Sequence, residues 1–525
     1  MPPGRSASFV RSLLLSGLTG GLLALAGPPL SSHWAAALLA FLFAPLLALL
    51  IRSQTPARSG LLGLAAGLGF GVISLRFAFD VLLRFAGLGT LAALPVFLLL
   101  VVLQSAPLVL ALFVARLSDT SESTRLPLTL PLAIAASFGL VPVLFPWHVG
   151  HFTLPWLAWA QLAELGGLPL VDLLTAQVGC LVLGAWELRA HGQAKRAGAF
   201  ALGALLLLGL PLAFGSMRLV DVAAAREQAA VLRVGVVQPD VSIRALREGM
   251  TTSARLARLE TLSRDAAEQG AQVVLWPEAA YPVLVSRAAL LDREAGTLRF
   301  DGPDLPHIVG AMSADLTDAS GCRRWNTLVA TDTSGRPSGH VDKRQRFPFA
   351  EFIPFWSWSS WLQARFECPG EQVGEGDALL SVAGAPLGLL NCYEDVGPGP
   401  ARAATLAGAD VLLNVSNDAW FGRSVQPELH RIVARFRAIE TRRDLVRAVN
   451  TGRSGHISAT GEELVVLPRH ERGLFVASAR RLTGTSLSVR LGNWVPPLAL
   501  ALLLLLALLP LARRQSARQS LESRA

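Results

Sequence analysis

Lysine is almost missing from this chain: of 47 basic residues only Lys195 and Lys343 are lysines. Tyrosine is as scarce, with Tyr281 and Tyr393 alone. Four cysteines in 525 residues exclude a disulfide scaffold. Charged residues reach only 16%, against about 25% in soluble domains. That shortage, with 52% hydrophobic residues and a mean hydropathy of +0.46, excludes a disordered chain and a purely soluble enzyme. No internal repeat and no low-complexity tract is present.

What is there in abundance is apolar sequence. Runs near 12–30, 34–51, 59–79, 89–115, 126–146, 167–188, 197–215 and 493–512 are mostly close to the ~20 residues that cross a bilayer as a helix. The loops between them are charged asymmetrically. Arg5, Arg11, Arg52, Arg58, Arg116, Arg125, Arg189, Lys195, Arg196, Arg513, Arg514, Arg518 and Arg524 fall on one side, whereas 31–33 and 147–166 carry no Lys or Arg and 80–88 carries Arg84. The positive-inside rule then puts both termini in the cytoplasm. The net charge of +9 is therefore a topology signal, and no nucleic-acid partner is expected. Residues 1–26 resemble a signal peptide, with Ala24-Leu25-Ala26 as a cleavage site, but Pro28 and Pro29 follow directly and retention is expected.

Residues 220–490 have another texture, short β-like runs alternating with helical ones. Strands are expected at Val231–Val241, Val273–Trp276, His307–Met312, Asn326–Ala330, Leu387–Asn391, Val411–Val415, Leu445–Val449, His456–Thr460 and Leu474–Ser478. Helices are expected near 251–269, 397–407 and 426–442. This is an α/β pattern with buried strands. The chain divides into a seven-span domain at 1–219, an extracytoplasmic domain at 220–490, and a last helix with a basic tail at 491–525.

Four strings in the α/β region carry chemistry. Val273-Val274-Leu275-Trp276-Pro277-Glu278 is an apolar strand that Pro277 must end, with a carboxylate at its edge. Asp342-Lys343 opens a second string that reaches Glu351, and a lysine gives and takes a proton as an arginine cannot. Leu389-Leu390-Asn391-Cys392-Tyr393-Glu394 ends a strand on a thiol, with a helix close behind whose N–H groups are expected to favour thiolate. Asn414-Val415-Ser416-Asn417-Asp418-Ala419-Trp420-Phe421-Gly422 reads as a pocket-lining loop. Taken singly, each is more simply a loop carboxylate, a surface cation, a structural cysteine or an Asx-rich turn. Together they supply a base, an amine and a nucleophile: Glu278 to take the thiol proton, Lys343 to lower the thiol pKa and stabilise an oxyanion.

Glu278, Lys343 and Cys392, spaced by 65 and then 49 residues, resemble the nitrilase or carbon–nitrogen hydrolase superfamily. The fuller set resembles the apolipoprotein N-acyltransferase family along the whole chain. It comprises WPE at 276–278, K-x-x-x-x-PF-x-E at 343–351, CYE at 392–394, SNDAWFG at 416–422, ARFRAIE at 434–440, NTGRSG at 450–455 and RLGNW at 490–494. The resemblance implies a polytopic α-helical membrane domain of about eight helices joined to an αββα sandwich. It implies transfer of an acyl chain from a phospholipid, expected to be phosphatidylethanolamine, through a Cys392 thioester to the N-terminal amine of diacylglyceryl apolipoproteins. Glu278 is then base, Lys343 oxyanion stabiliser, and Glu351 the second glutamate that positions the lysine. Asn326, Tyr393 and Glu394 match residues of the site or its surround. A bacterial inner-membrane location, a monomer, and no cofactor or metal are implied. Three positions depart from the family: 238–250 holds no Trp, Ala350 replaces a usual Gly, and Arg346 stands where an aliphatic residue is common.

A membrane-anchored amidase of the same superfamily is the alternative, with water as acceptor. A scaffold on a dead fold is disfavoured, because all three polar residues are kept. His148 and His151 have metal-ligand spacing but no third ligand, and read as an interfacial loop. Gly67, Gly69 and Gly71 read as close helix packing. Asp172, costly in lipid, should face a cavity or pair internally. Cys180 reads as core, while Cys322 and Cys368 are free to pair in an oxidising compartment.

Overall fold

The structure is a computed structural model that describes residues 3–27, 33–119, 125–376 and 378–522. Pro28, Pro29, loop residues 31–32 and Arg524, used in the topology reading, lie outside the described residues. The chain forms two compact units, residues 1–219 with 491–525, and residues 220–490.

The first unit is helical. Among the described residues six helices are long and apolar enough to cross a membrane: Ser8–Leu25, Trp34–Ile51, Pro56–Ser74, Thr90–Ser118, Ala163–Ala190 and Ala194–Gln228. Two shorter apolar helices, Leu126–Leu140 and Val495–Leu508, fall where the fifth and eighth spans are expected. Small residues make up much of the buried face. In Trp34–Ile51 the alanines 36, 37, 40, 44 and 48 are buried, while Leu38, Leu42, Leu46 and Leu49 face outward. Lipid tails solvate leucine as well as a protein core does, so small residues take the interfaces, where backbones approach closely. A Cβ on Gly69 would lie 2.0 Å from the Gly17 carbonyl oxygen, and one on Gly67 2.3 Å from Ser105. The glycines of the third span are thus packing residues.

A buried carboxylate on helix Ala163–Ala190 is paired. Asp172 is fully buried and accepts from the Gly150 N–H at 2.7 Å, with His148 Nδ1 at 2.5 Å. His151 Nδ1 accepts the His148 N–H at 3.0 Å. The 148–151 segment is therefore a buried clamp on the helix carrying Asp172, not the interfacial loop expected. Its histidines are drawn in because they satisfy a carboxylate that would otherwise be stranded.

The second unit is a four-layer αββα sandwich. Its strands are β1 Val231–Gln238, β2 Val273–Leu275, β3 Val285–Ser286, β4 His307–Ala314, β5 Arg324–Thr331, β6 Pro337–Asp342, β7 Leu379–Val382, β8 Ala385–Asn391, β9 Val411–Ser416, β10 Leu445–Val449, β11 Gly455–Ile457, β12 Glu463–Val466 and β13 Gly473–Arg480. One sheet runs β13-β1-β2-β4-β5-β6 with β3 beside β4, and the other runs β12-β11-β10-β9-β8-β7. The central strands β1, β2 and β4, and likewise β8, β9 and β10, are parallel. Alternate residues of both sheets, such as Val234, Val236, Leu275, Leu389, Leu413 and Ala448, share one inter-sheet core. Helix Thr252–Glu268 covers the first sheet through Leu259 and Leu262. Helices Pro398–Leu406 and Gln426–Thr441 cover the second through Ala401, Ala404, Ala434 and Ala438. Cys322 and Cys368 form a disulfide, and Cys180 is free and buried.

Strands β3, β6, β7 and β12 were not expected. The first is two residues long, and β6 reads Pro-Ser-Gly-His, which lacks the apolar run of a strand. Tertiary pairing to β5 makes it one.

Candidate active site

Glu278, Lys343 and Cys392 each stand just past a strand end. Strand β2 ends at Leu275, and Pro277 cannot extend the ladder, so the chain turns and projects Glu278. The turn presses on β4: a Cβ at Gly310 would lie 2.1 Å from the Pro277 carbonyl oxygen. Lys343 directly follows β6. Its N–H donates to the Asn326 carbonyl at 2.8 Å and its carbonyl accepts the Gly374 N–H at 2.8 Å, so its backbone is fixed on both sides. Cys392 follows β8 with φ of +49°, a left-handed conformation that costs a non-glycine residue roughly 1–3 kcal/mol. A tight turn of Cys392–Asp395 holds it there, closed by the Asn391 and Glu394 side chains capping each other's backbone N–H groups.

Hydrogen bonds join these residues into one constellation. Lys343 Nζ donates to Glu278 Oε1 at 3.0 Å and, in a short contact, to Glu351. Glu278 also accepts from Asn326 Nδ2 at 2.9 Å and from the Asn417 N–H at 3.1 Å. Asn326 Oδ1 in turn accepts from Asn391 Nδ2 at 2.8 Å. Glu351 accepts the Phe347 N–H at 2.9 Å. Glu394 accepts the N–H groups of Arg344 and Gln345 at 2.8 and 3.1 Å, and that of Asn391 at 2.9 Å, tying the lysine loop to the cysteine strand. Tyr393 stacks edge-on against Phe347 with ring centroids 5.1 Å apart. Ser416 Oγ lies 3.4 Å from Cys392 Sγ.

Electrostatics assign protons. Burial pulls the Lys343 ammonium down, but Glu278, Cys392 and Glu351 outweigh it and hold Lys343 well above its ordinary value. Burial and the Glu278 carboxylate push the Cys392 thiol well up, with Lys343 pulling the other way. The expectation of a thiol lowered by Lys343 and by helix N–H groups is thus reversed in net: burial and the carboxylates outweigh them. At rest the site holds an ammonium and a neutral thiol, so the thiol needs a base, and Lys343, already protonated, cannot be it. Burial also raises Glu351. Glu371, whose N–H donates to the Glu351 carbonyl at 2.8 Å, is pushed up to about 7 by burial and by the Glu351 charge.

All seven expected residues, Glu278, Lys343, Cys392, Glu351, Asn326, Tyr393 and Glu394, lie in this constellation or in direct contact with it. Asn391, Ser416, Asn417 and Glu371 were not singled out as site residues. The first three lie inside strings already noted, and their strand-end position is the signal that would have found them. Among the described residues no group of three or more His, Cys, Asp or Glu is placed to hold a metal ion.

A four-layer α/β sandwich on a chain with apolar helices is a carbon–nitrogen hydrolase-type domain in a membrane protein. Residues 233–483 match the carbon–nitrogen hydrolase family, and residues 19–181 match the apolipoprotein N-acyltransferase N-terminal domain. The chain is 32% identical to the apolipoprotein N-acyltransferase of Gloeobacter violaceus over 372 residues, 69% of this chain and 67% of the relative. It is 29% identical to that of Methylococcus capsulatus over 500 residues, 92% of this chain and 93% of the relative. A crystallised amidase from Nesterenkonia sp. is 21% identical, with 48% of this chain and 92% of the amidase covered at a TM-score of 0.35. The chain belongs to the apolipoprotein N-acyltransferase family and is an acyltransferase of the carbon–nitrogen hydrolase superfamily.

Proposed function

We propose that this protein moves a fatty acyl chain from a phospholipid, phosphatidylethanolamine being the expected donor, to the α-amino group of the S-diacylglyceryl-cysteine that begins an apolipoprotein. The observation that carries this reading is the single hydrogen-bonded group of Glu278, Lys343 and Glu351 acting on Cys392. In the first half-reaction Glu278 takes the thiol proton and the sulfur attacks the ester carbonyl. The new oxyanion faces the Lys343 ammonium and the Tyr393 N–H. The C–O bond breaks, and the proton passes from Glu278 to the oxygen of the departing lysophospholipid. In the second half-reaction the acceptor amine attacks the thioester carbonyl. The C–S bond breaks, and the amine proton returns to the sulfur by way of Glu278. The kinetics are ping-pong.

The setting is an inner membrane. Residues 1–219 and 491–525 form the lipid-embedded part with both termini in the cytoplasm, and residues 220–490 are the periplasmic catalytic domain, working as a monomer. The exposed Phe355, Trp358 and Trp361 of that domain support contact with a lipid interface, where aromatic rings are favoured.

The test is a single turnover with labelled phospholipid. Without acceptor the label should appear once on Cys392 and stay, because an acyl chain in an apolar groove meets little water. An amine-bearing lipopeptide should discharge it. Steady release of free fatty acid without acceptor, and no label on Cys392, would instead identify an amidase-like hydrolase.

A further inference from the structure

Behind the cysteine lies a buried polar network that the proposed mechanism does not use. Strands β8 and β9 are parallel neighbours with Asn391 opposite Val415, so Cys392, just past the end of β8, comes beside Ser416, the last residue of β9. Ser416 Oγ is 3.4 Å from Cys392 Sγ and 3.4 Å from Asp418 Oδ1. Asp418 faces His430 Nδ1 at 3.6 Å. His430 Nε2 is 2.5 Å from Asp395 Oδ1, and Asp395 Oδ2 is 3.0 Å from the Arg447 guanidinium. Ser416, Asp418, His430, Asp395 and Arg447 are each buried. Asp395 closes the same turn that Cys392 opens.

The charges in this network balance. Two carboxylates meet one guanidinium and one imidazole whose nitrogens face a carboxylate on each side. Burial would lower His430, but Asp395 outweighs it and raises it to about 9, so the ring is an imidazolium at neutral pH. A buried charge persists only when it is paired, and here each charged group lies within 3.6 Å of one of opposite sign.

A hydroxyl has one proton, and Ser416 has two acceptors for it. When the sulfur is a thiol or thioester, Asp418 is the stronger acceptor. When the sulfur carries charge, at the start of acylation and as the thiolate leaves a spent thioester, it competes. His430 tips that competition by neutralising Asp418. We propose that Ser416 is a further catalytic residue, whose hydroxyl swings from Asp418 to the Cys392 sulfur as the sulfur becomes anionic, and that His430 is the positioning residue that frees it to do so. No net proton transfer is involved. Glu278 still takes the thiol proton and returns it. This rests on the reading of Cys392 as the nucleophile, and it adds a hydrogen-bond donor to its sulfur.

The test needs no lipid. The rate at which iodoacetamide alkylates Cys392 is measured against pH on the full-length protein in detergent, by mass spectrometry of the Cys392 peptide. Ser416→Ala should lower the rate about five- to tenfold at neutral pH and displace the log-rate line by up to about one pH unit. His430→Gln should displace it the same way by about half as much, and serves if the alanine variant does not fold. A merely structural role would lower the thermal midpoint and leave the line where it was, and that result overturns the proposal. So does a wild-type line in Ser416→Ala. If the line moves but wild-type protein never takes up an acyl label, the donor-sulfur role stands and the transferase reading fails.

Discussion

At the residue scale the chain is readable because it is so uneven. A buried lysine between two carboxylates stands out where arginine fills almost every other basic position. Guanidinium could carry the charge, but its planar fork would not place it on one oxyanion. Lys343→Arg should therefore be nearly as damaging as Lys343→Ala in single-turnover acylation. Activity within roughly tenfold of wild type, about 1.4 kcal/mol of barrier, would show that any cation suffices. Glu278 and Cys392 were legible because each ends a local string with an apolar strand before it, and Lys343 because it is one of only two lysines in the chain. His430 was not, because its contacts with Asp395 and Asp418 come from helix packing across stretches of sequence that no local pattern links.

At the element scale, parallel central strands read as continuous apolar runs, and β10 falls on the expected residues 445–449. Edge strands such as β6 and β12 are more polar and exist through their neighbours. Two buried ion clusters fix the elements around the site and give opposite pH signatures. Asp444, just before β10, accepts from Arg226 at 2.8 and 3.0 Å, from the Arg480 N–H at 2.9 Å and from the Ala459 N–H at 3.0 Å. Burial opposes its charge, but His456 and Arg226 outweigh that and draw it down to about 2. Its folded pKa is depressed, so its stabilisation, on the order of 2 kcal/mol, is present above about pH 4 and lost as pH falls toward 2. His430 is raised to about 9, so its stabilisation is full below about pH 6.5 and lost as pH rises through about 9. Thermal midpoints measured from pH 2 to 10 should fall at both ends. Asp444→Asn should flatten the acid limb and His430→Gln the alkaline one.

At the scale of the whole molecule, the apolar runs and the α/β region were visible as a change of texture, and the two compact units divide near residues 219 and 490. The inside of the helical unit was less visible. Alanine and leucine count alike as apolar, yet in the second span five alanines are buried while Leu38, Leu42, Leu46 and Leu49 face outward. Orientation is the testable part. A reporter fused after Ala525 should behave as cytoplasmic, and one inserted near Gly335 as periplasmic. The opposite pattern would overturn the loop-charge reading and the lipid-facing chemistry with it.

The ion pairs of Lys343 with Glu278 and Glu351 also bear on how long one catalyst molecule lasts. A thioester waiting beside a primary amine is a hazard, since migration of the acyl group from sulfur to that nitrogen would form an amide and end the enzyme's working life. An ammonium has no lone pair to attack with. On the proposed mechanism, two carboxylates that keep Lys343 protonated would guard against self-acylation as well as hold a charge for the oxyanion. Glu351→Gln removes one of them. Stored as its acyl form without acceptor, that variant should lose activity faster than wild type and accumulate the acyl mass on the Lys343 peptide. Equal lifetimes, with the label remaining on Cys392 alone, would mean that Glu278 guards the lysine unaided.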